Sequence, residues 1–165
     1  MPSTYHTLGP DTAKYCFYLP TLPLFPDNWQ HNQVDAVASL IALNGNHWRK
    51  IFTIMAKIMC PSEDWKTYRD HFLLKEKEQI HINTKVLSST AQVHIISGQA
   101  SADKLTLNLT DFSPISSNPR LTMLQTCLHV PYLDYRQYPN ALIEVTRDYL
   151  ASLDIKNEIN EATIE

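Results

Sequence analysis

The sequence predicts an α/β protein built on a mainly parallel sheet, and three observations carry that prediction. Residues 15–19, YCFYL, form an aromatic and aliphatic run ended by Pro20. A second run, QVHIIS at 92–97, is followed at once by Gly98, and a third, LTMLQTCLHV at 121–130, is ended by Pro131. Between and after these runs the apolar residues switch to helical spacing. The order is therefore strand, helices, strand, helix, strand, helix, which is that of a parallel sheet with crossover helices.

Each element has its own warrant. YCFYL reads as a buried strand. The segment PTLPLFPDNW holds Pro20, Pro23 and Pro26, which fit neither a helix interior nor a central strand, so it is an extended loop whose apolar side chains pack. In NQVDAVASLIAL, Val34, Val37, Leu40 and Ile41 fall at helical spacing and Asn44-Gly45 stops the helix. NHWRKIFTIMAKIM resumes it, with Trp48, Ile51, Phe52, Met55, Ile58 and Met59 on one stripe until Pro61. A third helix is predicted for SEDWKTYRDHFLL, with Ser62 as N-cap, acids in the first turn, and Trp65, Tyr68 and Phe72 facing inward.

Residues 76–90 are polar and read as connection. Val93, Ile95 and Ile96 then mark a buried strand, Gly98 a tight turn, and QASADKLTL a short helix. LTDFSPISSNPR is a loop by composition, and LTMLQTCLHV is a strand. PNALIEVTRDYLASL is the last helix, with Pro139 in its first turn and Leu142, Val145, Tyr149 and Leu153 inward. Residues 1–153 are expected to form a single α/β domain and the acidic tail 154–165 to fray.

Composition narrows the function classes. With 44% hydrophobic and 19% charged residues, the 165-residue chain has the make-up of a soluble globular domain. No apolar stretch approaches the roughly 20 residues of a membrane span, and no secretory leader is visible. Cys16, Cys60 and Cys127 are odd in number, far apart and without CxxC spacing, so three reduced thiols in a cytoplasmic protein are expected. A net charge of −3 argues against a domain devoted to gripping nucleic-acid backbone, while leaving room for a local basic patch.

The candidate site lies in LHVPYLDYRQYPN, residues 128–140. It packs Tyr132, Asp134, Tyr135, Arg136, Gln137 and Asn140 into the junction between the last strand and the last helix, where open α/β sheets place ligands. A carboxylate there can activate water, a guanidinium can hold an anion with two parallel bonds, and tyrosine with an amide can stack on and read a planar base. Asp134 and Asp27 are the candidate water activators. Arg136 is the anion holder, and Gln137 or Asn140 the edge reader. His129 is a further catalytic candidate, and Gly98 and Gln99 stand nearby as ligand-binding candidates. The competing structural reading is a loop locked by an Asp134–Arg136 pair, with Asn140 capping the last helix.

Seven histidines show no metal-ligand spacing, so no metal is expected, and His94, alternating with buried residues on its strand, reads as a sheet-surface or a satisfied core group. No GxGxxG, P-loop or GxSxG motif is present, and no cofactor is expected. Trp48 reads as core, with Arg49 and Lys50 as a solvated face. A second function class is a non-catalytic interaction module whose Tyr/Arg-rich loop meets a protein partner.

Two segments carry a resemblance. VHIISGQASADKL is similar to the strand–Gly–helix segment of the uracil-DNA glycosylase superfamily, and LQTCLHVPYLDYRQYPNALIEV falls where that superfamily has its last core strand, DNA-intercalating loop and final helix. The resemblance implies a three-layer α/β/α sandwich and a nucleobase, nucleotide or nucleic-acid ligand. The superfamily's Gly-[Gln/Glu]-[Asp/Asn]-Pro motif after the first strand is replaced here by YLPTLPLFPDNW, where Asp27 and Asn28 are the nearest stand-ins. His129-Val130-Pro131 stands one residue out of step with the superfamily's His-Pro-Ser. The whole chain also resembles a small, functionally uncharacterised bacterial protein family through NGNHWRKIF, HIISG and PYLDYRQYPN.

Overall fold

Four parallel strands form the centre of a seven-stranded sheet ordered β1-β3-β2-β4-β7-β6-β5. The computed structural model describes residues 6–164, with side chains through Asp154. The strands are β1 (His6–Leu8), β2 (Tyr15–Leu19), β3 (Glu78–Ile82), β4 (Val93–Ser97), β5 (Ser113–Ile115), β6 (Asn118–Leu124) and β7 (Cys127–Val130). β3, β2, β4 and β7 run parallel, whereas β1, β5 and β6 pair antiparallel at the two sides. The expected mainly parallel sheet is thus a mixed one, parallel only at its centre.

The helices are α1 (Ala36–Asn44), α2 (Asn46–Met59), α3 (Trp65–Thr67), α4 (Gly98–Lys104) and α5 (Asn140–Ile164). They lie on both faces of the sheet, unequally. Tyr15, Phe17, Leu19, Ile80, Ile82, Ile95, Leu128 and Val130 join α1, α2 and α5 in the main core. There Ile51, Phe52, Ile54 and Met55 of α2 have no exposed surface. Each such side chain contributes roughly 1.5–3 kcal/mol by leaving water. The opposite face carries a smaller cluster in which Cys16, Tyr18 and Ile96 meet Ala102 and Leu105 at α4.

Four sequence expectations fail for identifiable reasons. Residues 76–90 are not all connection, because they contain β3, every residue of which is buried. Its polar residues are satisfied from within. Tyr68 Oη and Leu74 N donate to Glu78, and Gln79 donates to Ala13 O while its own oxygen meets His81 Nε2 at 2.9 Å. LTMLQTCLHV is not one strand but a hairpin, turning at Gln125-Thr126, and the preceding loop contains β5 and the start of β6. The third helix is short. Asp64, not Ser62, accepts from Thr67 N at 3.3 Å, and a π-helical turn at Tyr68–Phe72 follows α3. The wider turn, closed by Leu73 N donating to Tyr68 O, takes Phe72 off the inward stripe and leaves it 57% exposed. Val34 likewise precedes α1 and is exposed.

Cys16 and Cys60 are buried thiols and Cys127 is half-buried. His94 is a satisfied sheet residue, its Nδ1 2.7 Å from Tyr18 Oη. Among the described residues no helix is long and apolar enough to cross a membrane.

Candidate functional site

The parallel strands end at Leu19, Ile82, Ser97 and Val130, all on one edge of the sheet. From β2 the chain goes to β3 on one side and later to β4 on the other, so the topological switch point lies between β2 and β4. β4 and β7 are neighbours, with Ser97 in register with Val130. The two segments singled out by their residue pattern therefore meet at this edge.

Gly98 opens α4 at φ +81, in the left-handed region. A Cβ built on it would lie 3.5 Å from the Tyr132 ring, an ordinary contact. The space over Gly98 is thus occupied by this chain's own tyrosine. His129 Nε2 donates to Gly98 O at 3.1 Å, since a carbonyl only accepts, and this bond ties β7 to the β4–α4 turn. Gln99 is exposed and its amide donates to Asp103 at 2.8 Å, within α4 itself.

Tyr132 runs from Gly98 to the start of α2, where its hydroxyl shares a 2.7 Å hydrogen bond with His47 Nε2. Burial, then the nearby Asp134 charge, raises the Tyr132 pKa above that of an ordinary phenol, so the hydroxyl stays protonated at neutral pH. Lys50, one turn beyond His47, places its ammonium 3.5 Å from Asp134 Oδ1 and 5.7 Å from the Tyr135 ring centre. Asp134 Oδ1 is buried and accepts no hydrogen bond among the described residues, so Lys50 is its counter-charge. The Asp134 carbonyl accepts from Gln137 N and Tyr138 N, which folds the loop into a turn. Tyr138 is buried, with its hydroxyl on Thr146.

The predicted Asp134–Arg136 lock is therefore not formed; Lys50 takes Arg136's place. Arg136 is exposed and makes no hydrogen bond or ion pair among the described residues. Tyr135 is 42% exposed beside it. Gln137 is exposed and its carbonyl accepts from Arg120. Asn140 departs from the cluster: its Oδ1 accepts from Lys57 at 3.2 Å. Lys57 lies two turns beyond Lys50, about 10 Å along α2 at the usual helical rise. Asp27 is exposed on the loop after β2, between Pro26 and Asn28, which line a separate concavity with His6 and Trp29. Asp27 and Asp134 thus occupy different surroundings.

Sequence reasoning gave His47 no role and made Lys50 a solvated cation. Their signal was present in NGNHWRK: a helix beginning after Asn44-Gly45 puts positions 47 and 50, three apart, on one face of its first turn. What the sequence withheld was that α2 begins against the loop following β7. Among the described residues no three His, Cys, Asp or Glu side chains converge as a metal ion would require.

The model of a Family of unknown function (DUF6942) matches residues 6–151. No curated protein and no solved structure matches the chain.

Proposed function

The chain belongs to this family of unknown function, and we propose that it binds a nucleotide or single-stranded nucleic acid on the rim formed by His47, Lys50, Tyr132, Tyr135 and Arg136. The observation that carries this reading is Arg136, a guanidinium without a protein partner among the described residues, next to the half-exposed ring of Tyr135. Single-strand binding needs that pair of features, an aromatic face for a base and a cation for the phosphate beside it. Lys50 and Asp134 hold the loop, and Arg49, exposed on the same turn of α2, extends the positive charge. A local patch of this kind is compatible with a net charge of −3. Gln137 is the better placed edge reader, because Asn140 is bonded to Lys57. The three free thiols fit a cytoplasmic protein.

A glycosylase-like architecture is part of this reading. It is supported by the adjacency of β4 and β7 and by the His129–Gly98 bond joining the two compared segments. Cleavage of a base held on this rim would fall to Asp134, the carboxylate that stands there beside Lys50, whereas Asp27 borders a separate concavity.

The test uses fluorescent single- and double-stranded oligonucleotides, with and without uracil, at low and moderate salt, with strand scission read after alkali. Single-strand affinity should fall with salt, and Arg136→Ala should flatten that dependence by about 0.7 in log–log slope. Tyr135→Ala should weaken binding by about 1–3 kcal/mol for one stacked base. Equal affinity in wild type and both variants would end the proposal; uracil-dependent scission lost in Asp134→Asn or Asp27→Asn would extend it to catalysis.

A protein partner is the second reading, favoured by Leu22, Leu24 and Leu43, which are 42%, 67% and 47% exposed. Leu24 is fixed by two backbone bonds to the Asn44 side chain, immediately before α2 begins.

A further inference from the structure

A second place at the carboxyl edge of the sheet has the polar groups of a binding site and does not depend on the rim. It lies where the ends of β2 and β3 face α4, beside the switch point, in a small cavity of about 10 Å³. Its polar lining comes from Tyr18, His81, Asn83, Thr84, Ser101 and Lys104. Several of these are engaged. Tyr18 Oη accepts from Ser88 N at 2.8 Å and meets His94 Nδ1, His81 Nε2 meets Gln79 Oε1, and Thr84 Oγ1 bonds both polar groups of Val86.

The remainder are not engaged. Ser101 is 5% exposed, and its Oγ is buried with no hydrogen-bond partner. A buried hydroxyl without a partner costs about 1–3 kcal/mol relative to a satisfied one, so its presence calls for an explanation. The Asn83 carboxamide and the Lys104 ammonium make no hydrogen bond or ion pair among the described residues. Asn83 is held at φ +57, with its backbone N–H on Leu19 O at 2.9 Å, so the backbone fixes its position. Ser101 and Lys104 stand three residues apart on α4, hence on one face. Hydroxyl, amide and ammonium are all donors, and no carboxylate lines the cavity.

We infer that this crevice binds a small oxyanion, a carboxylate or phosphate group. One of its oxygens enters the cavity to accept from Ser101, and the rest lies outside against Lys104 and Asn83. The cavity is of the size that takes one oxygen or one water. The group held this way can be a free ion or the anionic end of a larger metabolite.

The experiment is an amide-resolved NMR titration of the full chain with sodium phosphate and, separately, sodium acetate, each against sodium chloride at matched ionic strength. Saturable shifts at Ser101, Ala102, Lys104 and Asn83 are expected with at least one of the two anions, and which one saturates tells phosphate from carboxylate. Ser101→Ala and Lys104→Met should each weaken the apparent Kd tenfold or more, and Lys104→Arg should retain it. Ser101→Ala removes an unsatisfied hydroxyl and should fold normally, which the spectrum itself reports. Arg136→Ala should leave the titration unchanged, keeping this site separate from the rim. Absence of a saturable shift with both anions, or unchanged affinity in Ser101→Ala and Lys104→Met, would overturn the inference.

Discussion

Replacing Gly98 with alanine separates two reasons for a glycine at the end of β4: a backbone that needs positive φ, or space for something to approach. At φ +81 a Cβ costs about 1–2 kcal/mol, and the stiffer unfolded chain returns roughly 0.4–1. The added methyl meets Tyr132 at 3.5 Å, an ordinary contact with no further penalty. The net expectation for Gly98→Ala is therefore a loss of roughly 1 kcal/mol. Gly9 supplies the contrast. Its φ of +91 carries the same backbone cost, but a Cβ there falls 2.6 Å from the Glu78 carbonyl oxygen. Backbone in β3 cannot yield as a side-chain tip does, so an overpacking cost of about 1–3 kcal/mol adds, for a total of roughly 2–4. Urea unfolding at constant m-value measures both variants. Equal losses would refute the geometric reasoning. Oligonucleotide affinity of Gly98→Ala should stay within about twofold of wild type, about 0.4 kcal/mol, since the added methyl meets Tyr132 and removes no ligand contact. Abolished binding with only the small stability loss would mean that a ligand, and not Tyr132, needs the bare backbone.

Two further predictions concern buried polar groups. Tyr68→Phe removes a donor from the fully buried Glu78, whose carboxyl pKa burial already raises, and should cost about 1–3 kcal/mol in urea unfolding; a loss below half a kcal/mol would mean that Leu74 N alone satisfies the carboxyl. His81 and His94 are held below the ordinary imidazole range by burial, His81 also by His94, so as pH falls through about 6.5 the unfolded chain takes up protons that the folded chain refuses. Stability should drop below that pH by up to about 1.4 kcal/mol per unit per histidine, and His94→Asn should lose part of the slope while Glu78, whose titration runs the other way, is common to both proteins; parallel curves for wild type and variant would refute it.

How much of the fold was legible follows from where polar residues stand. β2, β4 and α2 were readable because few polar side chains interrupt their inward pattern: Thr53 in α2, and in β4 Ser97 at its end and His94, whose Tyr18 partner lies on the adjacent strand. β3 was missed because Glu78, Gln79 and His81 look like loop, and only the fold reveals the donors that satisfy them. Period-two alternation cannot distinguish one strand from two joined by a two-residue turn without glycine, so the β6–β7 hairpin read as a single strand. Within the site, the polar loop announced itself by composition, but its pairing did not. Asp134 has a cation two residues away and uses one from α2 instead, because the tight turn points Arg136 outward while α2 brings Lys50 to the carboxylate.

The uneven layering explains why both candidate sites border α4. Gln79 and Cys16, His94 and Cys127, His81 and Tyr18, and Ile96 and His129 are in register across β3, β2, β4 and β7, so they share one face. That face is richer in polar groups than the face beneath α2 and α5, and among the described residues it is covered by the seven residues of α4 and flanking loops. Where strands lie side by side, these polar groups satisfy one another, as Tyr18 does with His94. At the carboxyl edge the strands stop and that mutual satisfaction ends. Side chains there must find partners in loops, as His129 does with Gly98, or remain without one, as Ser101 does. A short helix on a polar face therefore concentrates unspent donors at its borders.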